Sequence, residues 1–499
     1  LEPRPLHGRF LPGDVRYVPV IGRGFERWLP RQCAAYRAAL DSVIAPPGTA
    51  DWTRVAAIRT LARLPGIGAA ALEPYLASSR VPIQEAALAG LAWTDEPGRA
   101  LEPLLARAGT DRARVAIYAA TRCARFVPRS ELLGPLDAVL TGETAKVTAR
   151  KEAARLLGAH RPPGAVDLLV EVASRDQVHR DVRLAIGRSL RGQLDDERAW
   201  QLLAALPERS DDEALSLLET SPEQLAPRHR SRYAGLVLAT CRSSTLRVRS
   251  GALAALAPWA RWSALAPGVA CGAIEDLATG PEWRSALGAL ATMLGDSTGW
   301  AEASDLVATL AGRIDDPSVD AGAERDRPST QRLRAVLQAM AELPWPERSE
   351  HLDDLLRVAG LVDHRADLLP DELTVRLAAT DWTSPASGAA LAAPRVAPLV
   401  AIAHRLDGHP LLIGEAMDAV DHALSRDEAR WGLDTFDATI DHLTGLGTAG
   451  SGAVALQLVA SVAARFDWPE PCRARLRTLR AHPVADLAVL AARLATTSE

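Results

Sequence analysis

The 499-residue sequence predicts an all-α fold, an α-solenoid in which antiparallel helix pairs stack into a superhelix. Three observations carry that prediction. First, one unit recurs, as "ARKEAARLL" at 149–157, "VRLAIGRSL" at 182–190 and "VRSGALAAL" at 248–256. In each copy an Arg precedes the last Leu by seven positions: Arg150/Leu157, Arg183/Leu190 and Arg249/Leu256. The steps between these Arg residues are 33 and 66 positions, one period and two. A fixed period of this size marks units that bury their apolar faces against their neighbours. Second, apolar residues recur at helical spacing, and hardly any stretch reads as strand. Third, the apolar share is 48% while aromatics supply 4%. The core is therefore Ala, Leu and Val, small enough for helices to approach closely.

Residues 1–24 hold four Pro and four Gly without a helical period. They read as an extended arm with a short strand at "VRYVPV". A first helix follows at about 25–44, stopped by "APPG" at 45–48, so 1–50 is an arm plus one helix. A repeat array is expected over 51–312. Its clearest unit is 163–191, where Val166, Leu169, Val170 and Ala173 share one helix face and Val182, Ala185, Ile186 and Leu190 share another. Asp51 and Asp111 stand three residues before Arg54 and Arg114 at the mouths of second helices. There a short acidic side chain accepts from exposed backbone N–H groups and suits the positive end of the dipole.

The segment 313–330 is polar, charged and aperiodic, a long loop or a hinge between two arrays. It is also the expected first site of limited proteolysis. Helical patterns return at about 331–343, 348–362, 370–380, 390–407, 411–425, 428–445, 452–466, 471–480 and 483–497. Residues 331–499 thus read as degenerate C-terminal helical repeats.

The quoted units resemble short bacterial HEAT-like repeats, two antiparallel helices whose second opens on a Val-Arg pair. The resemblance is clear over about 140–195 and 245–295, fair over 51–125, and architectural elsewhere. It implies a solenoid whose concave face grips proteins or, in some branches, nucleic acid. The Trp-Leu-Gly…Tyr pattern of tetratricopeptide repeats and the Thr-Pro-Leu-His of ankyrin repeats do not occur. Two enzymatic HEAT branches imply further marks. Di-iron hydroxylases of this fold carry repeated His-Glu dipeptides, and this sequence has none. Alkylated-base DNA glycosylases use a basic cleft with Trp and Asp. The corresponding material here is Asp195, Asp196 and Trp200 on one expected helix, with Trp259 and Trp262 after an Arg-rich stretch.

That stretch is the densest basic patch: Arg228, Arg230, Arg232, Arg242, Arg247 and Arg249, with His229 and Tyr233 interleaved. On one face these residues would attract an acidic surface or a phosphate backbone. They are the candidate binding patch, although helical spacing scatters them over at least two helices. The recurring Arg150, Arg183 and Arg249 could form a phosphate-gripping ladder. The structural alternative has each guanidinium bonding carbonyls or an acidic residue of the adjacent repeat. Charge is segregated along the chain: residues 1–250 carry 36 basic against 28 acidic side chains, and 251–499 carry 21 against 34. Asp418 and His422, four apart on one helix, could reach a single metal ion, with Asp441 and His442 on the next. Ordinary surface pairing is the competing reading, and no metal or cofactor is expected.

Of the basic residues, all but Lys146 and Lys151 are Arg, and there is no Asn, a bias of GC-rich coding rather than of function. Five widely spaced Cys (33, 123, 241, 271, 472) suggest neither a zinc site nor a disulfide framework. With no membrane-length apolar run and no signal-peptide pattern, a cytoplasmic location is expected. The first residue is Leu1 rather than Met, which fits truncation, processing or an alternative start codon alike. Walker, GxSxG, HExxH and GxGxxG motifs are missing in any strand–helix context. The expectation is a non-catalytic protein-interaction scaffold or partner-sensing arm. The alternative is a nucleic-acid-binding solenoid, with glycosylase-like chemistry as its extreme form.

Overall fold

The structure, a computed structural model, describes residues 24–108, 110–143, 145–175, 177–278, 280–314, 327–380 and 393–496. The expected N-terminal arm and most of 313–330 lie outside the described residues. Among the described residues there are 27 α-helices and no strand. The chain divides into two compact units, Leu1–His229 and Arg230–Glu499.

The first unit opens with α1 (Pro30–Ile44), α2 (Asp51–Leu61), α3 (Glu73–Leu76), α4 (Val81–Leu91), α5 (Leu101–Arg107) and α6 (Ala113–Cys123). It continues with α7 (Arg129–Thr141), α8 (Val147–His160), α9 (Ala165–Ala173), α10 (Arg180–Leu190), α11 (Glu197–Arg209) and α12 (Asp211–Leu218). The unit boundary falls inside α13 (Pro227–Thr240). Consecutive helices pair, as in α5 with α6, α7 with α8 and α11 with α12. Each even-numbered helix also packs on the next, running α2, α4, α6, α8, α10, α12. Helices α5, α7, α9 and α11 form the second layer. This is the stacking of an α-solenoid, in which each repeat buries its face on its neighbours.

Local sequence sets the ends of these elements. Pro30 opens α1, so the helix starts at 30 instead of 25. Arg161, at φ 49°, and Gly164, at φ 83°, turn the chain between α8 and α9. The apolar face of α9 is set one position off the expected one. Ala165, Leu168, Leu169, Val172 and Ala173 are buried, while Val166 and Val170 are half-exposed. In a helix this short, four apolar residues at adjacent positions fit two overlapping faces, and packing chooses between them. On α10 the expected Val182, Ile186 and Leu190 are fully buried, each contributing roughly 1.5–3 kcal/mol by leaving water.

Asp51 and Asp111 do not cap their helices. The N-cap residues of α2 and α6 are Ala50 and Arg112, neither with a side-chain cap. Each Asp instead pairs with a basic residue of the following repeat: Asp51 with Arg80 at 2.6 Å and Asp111 with Lys146 at 3.4 Å.

The second unit holds α14 (Leu246–Ala254), α15 (Ala266–Glu275), α16 (Trp283–Met293), α17 (Ser297–Ile314), α18 (Pro328–Ala341), α19 (Trp345–Arg348) and α20 (Leu352–Gly360). Beyond them lie α21 (Leu369–Ala378), α22 (Ala393–Asp407), α23 (Ile413–Arg426), α24 (Asp437–Leu446), α25 (Ala449–Arg465), α26 (Glu470–Arg480) and α27 (Ala485–Arg493). One layer runs α14, α16, α18, α21, α23, α25. The apolar α25 sits at the centre of the last repeats, packed on α22, α23, α24 and α26. Its Gly450 faces the Ala403 carbonyl, and its Gly452 faces Leu487 and His482, both closely enough that a Cβ would collide.

The helix expected over 428–445 forms only from Asp437. Trp431 and Phe436 turn into the core with rings 5.5 Å apart, and Gly432 N–H donates to Thr435 Oγ1 at 2.8 Å to close the turn between them. Burying two aromatics from one short segment outweighs continuing the helix.

Candidate interaction groove

The recurring Arg is a structural bracket. Arg150 donates to Leu140 O at 2.8 Å, in the last turn of α7, while Arg183 donates to Val178 O at 2.7 Å and Arg249 to Ser243 O at 2.9 Å, in the turns before their own helices. Arg54 makes the equivalent bond to Pro46 O. Arg183 also reaches Glu213 at 2.9 Å and Arg249 reaches Glu282 at 3.0 Å, both carboxylates being fully buried members of the next repeat. A guanidinium with five donors in a rigid fork satisfies a turn carbonyl and a neighbouring carboxylate together. These side chains face into the repeat interfaces and offer no ladder to a phosphate chain.

The six arginines of the candidate patch are dispersed. Arg228 lies in the first unit and holds Asp195 through two bonds of 2.9 and 2.8 Å. That pairing keeps the Asp195 carboxyl below its usual range. The other five belong to the second unit. Arg230 lies 4.8 Å above the Trp262 ring, Arg249 is in its bracket, and Arg242 is exposed. Arg232 and Arg247 are exposed and engage partners of their own. Because 228, 230 and 232 step by two along α13, alternate side chains leave the helix in nearly opposite directions.

The glycosylase-like residues are each engaged within their own unit. Asp196 caps α11 through Arg198 N–H, and Trp200 is buried with its indole N–H on Leu194 O at 2.7 Å. Trp259 is buried and stacked on Tyr233. Among the described residues no group of three or more His, Cys, Asp or Glu is placed to hold a metal ion. Asp441 is engaged by Arg475, and Asp421 accepts from Gln457 and Ser461. All five Cys are buried and free, and burial pushes the Cys123, Cys241 and Cys271 thiols up to about 12, leaving them unreactive.

What the even-numbered layer of the first unit does form is an open groove of about 420 Å³ across α6, α8 and α10. Its floor is small and apolar, with Ile117, Gly158, Ala159, Ala185 and Ser189. The depth comes from a close helix crossing. A Cβ on Gly158 would lie 2.5 Å from Ser189 Cβ, so α8 and α10 touch there through backbone and a hydroxymethyl group. Tyr118, next to Ile117, is 69% exposed.

Charged pairs line the rim. Buried Glu152 accepts from Thr121 at 2.8 Å and from Arg155, which closes a three-residue network across α6 and α8. Lys151 meets Asp181 at 3.4 Å, and Arg188 holds Glu219 through bonds of 2.8 and 2.6 Å. The Lys151–Asp181 and Arg188–Glu219 pairs bridge one repeat to the next, while Glu152 and Arg155, both on α8, reach α6 through Thr121. The sequence signal for the groove was the small residues Gly158, Ala159, Ala185, Ser189 and Gly192, which the period alone does not single out.

No family model matches the sequence, and no curated protein matches it. Among solved structures the chain is similar to Kap121p bound to Pho4p, at 14% identity over 93% of this chain and 51% of that one, with a TM-score of 0.47. It is similar to Kap121p bound to Ste12p with the same identity and coverage and a TM-score of 0.44. Yeast importin-beta, Kap95p, matches at 14% identity over 93% of this chain and 62% of its own, with a TM-score of 0.31. The chain spans about half the length of the Kap121p structures it matches. With scores below one half, the fold assignment stands on the helix packing described above. No helix of the described residues is long and apolar enough to cross a membrane.

Proposed function

We propose that the protein is a non-catalytic interaction scaffold of HEAT-like repeats and that the even-numbered helices of its first unit hold a partner protein. The groove across α6, α8 and α10 carries this reading. It spans three successive repeats, its floor is apolar, and its rim charges are mostly paired. A concave apolar strip with a few polar groups is the form of a recognition site.

A nucleic-acid-binding solenoid is the alternative, favoured by the exposed arginines of 228–249. The bracketing of Arg249 and the stacking of Arg230 on Trp262 reduce what that stretch offers to phosphate. The expectation is weak duplex binding that falls steeply with salt, because each neutralised phosphate releases counterions. Fluorescence anisotropy with a duplex DNA and a single-stranded RNA, titrated with salt, tests it. Tight binding by the full chain at physiological salt, abolished by Arg230→Ala with Arg247→Ala, would replace the scaffold reading.

A further inference from the structure

We infer that the groove on α6, α8 and α10 takes an acidic peptide segment of a partner protein, with its small apolar side chains on the floor and its carboxylates at the end flanked by Arg125, Arg129 and Arg161. The inference rests on the scaffold reading above and adds the chemistry of the occupant.

Charge decides it. Along the rim, Lys151, Arg155 and Arg188 are each offset by one carboxylate, Asp181, Glu152 and Glu219. Where α6 and α8 end, the balance fails. Arg125 follows α6, Arg129 opens α7 and Arg161 follows α8; all three are exposed and have no ion-pair partner among the described residues. Arg161 lines the adjoining cleft and borders the groove at Gly192, which lines both, its Nη2 lying 3.1 Å from where a Cβ on Gly192 would sit. The ends of α6 and α8 supply about half a negative charge each. Asp195 and Asp196 share a second cleft with Arg161 but are held by Arg228 and Arg198, and the two helix-end half-charges together offset about one of the three cations. Arg129 also sits at a helix N-terminus, where the dipole disfavours a cation.

His160, beside Ala159 at this end, registers the same excess. Burial and then Arg125, Arg129 and Arg155 hold its pKa below the ordinary value. An apolar floor suits side chains rather than a sugar–phosphate backbone, and the one-to-one rim pairs leave a run of phosphates no line of unpaired cations to follow. A carboxylate arriving at Arg125, Arg129 and Arg161 meets donors that no internal acid occupies.

The test is selection of a random dodecapeptide display library on the full chain, repeated with Arg125→Glu/Arg129→Glu and with Ala185→Trp, which fills the floor. Both arginines are exposed, so the charge variant should fold as the parent does, and circular dichroism checks the Trp variant. The selected pool should be enriched in Asp and Glu next to small apolar residues. Its individual peptides should bind the charge variant about tenfold or more weakly. Loss of the acidic residues to Asn and Gln should weaken binding comparably. No enrichment, a pool without acidic bias, or unchanged affinity for the charge variant overturns the inference. So does displacement of the peptides by duplex DNA at physiological salt, which would assign the groove to nucleic acid. Capture of a partner protein that the charge variant leaves intact would sink the inference and leave the scaffold reading standing.

Discussion

Glu213 is wholly buried, with one oxygen on Arg183 at 2.9 Å and Oε2 without a hydrogen-bond partner. Glu282 repeats the arrangement under Arg249. A carboxylate held this way depends on its one cation. Arg183→Ala should therefore destabilise the first unit by about 3 kcal/mol, the cost of stranding a buried charge. Adding Glu213→Gln should recover part of the loss, read by urea denaturation. A loss below about 1 kcal/mol for the single variant would show that the bracket does not hold the repeats together.

In the second unit the Asp371 carboxyl titrates above its ordinary range. Burial pushes its carboxyl up to about 6, with Asp367 and Glu415 adding to the rise and Arg334, at 3.1 Å, opposing it. A folded pKa above the ordinary value of 3.8 means the native state binds the proton more tightly. The contribution of Asp371 to stability is then complete below about pH 4 and is lost as pH rises through about 6. The span is on the order of 1–3 kcal/mol. Denaturation of the second unit between pH 4.5 and 7.5 should show this slope, and Asp371→Asn should flatten it.

At the level of elements, two glycines inside helices predict opposite outcomes. Gly158 on α8 has Ser189 of α10 at 2.5 Å from its absent Cβ, whereas Gly134 on α7 has nothing within 4 Å. Gly158→Ala should push the two helices apart, costing roughly 1–3 kcal/mol and shrinking the groove. Gly134→Ala should be neutral or stabilising by up to about 1 kcal/mol through helix propensity. Melting temperatures of the two variants check the contrast.

Such crossings also explain which features were legible in the sequence. The repeated Arg150, Arg183 and Arg249 were visible because one bond geometry recurs at one period. Helix existence was legible from apolar spacing through most of both units. The face of α9 was not, since Val166 and Val170 fit a face as well as Leu168 and Val172 do, and only the neighbouring helices decide. The break at Trp431–Phe436 was hidden for a similar reason, being driven by aromatic burial against distant residues. The groove was hidden because its floor depends on which small residues from three repeats meet. The patch at 228–249 was a cluster in sequence whose members face different partners.

At the scale of the whole molecule, the excess of basic residues in 1–250 and of acidic residues in 251–499 sets what each part attracts. Three exposed cations of the first unit, Arg125, Arg129 and Arg161, lie where α6 and α8 end and α7 begins, and on the inference above they add a sign preference to the apolar floor. The central claim is that this face binds protein. Its most direct test is site-specific photo-crosslinking in the source cell, with benzoylphenylalanine in place of Tyr118 on α6 and, as control, in place of exposed Glu131 on α7. The account predicts discrete protein adducts from position 118 that are lost with Arg125→Glu/Arg129→Glu, and none of the same adducts from position 131. Adducts only to nucleic acid, or no protein adduct from position 118 at all, would contradict it.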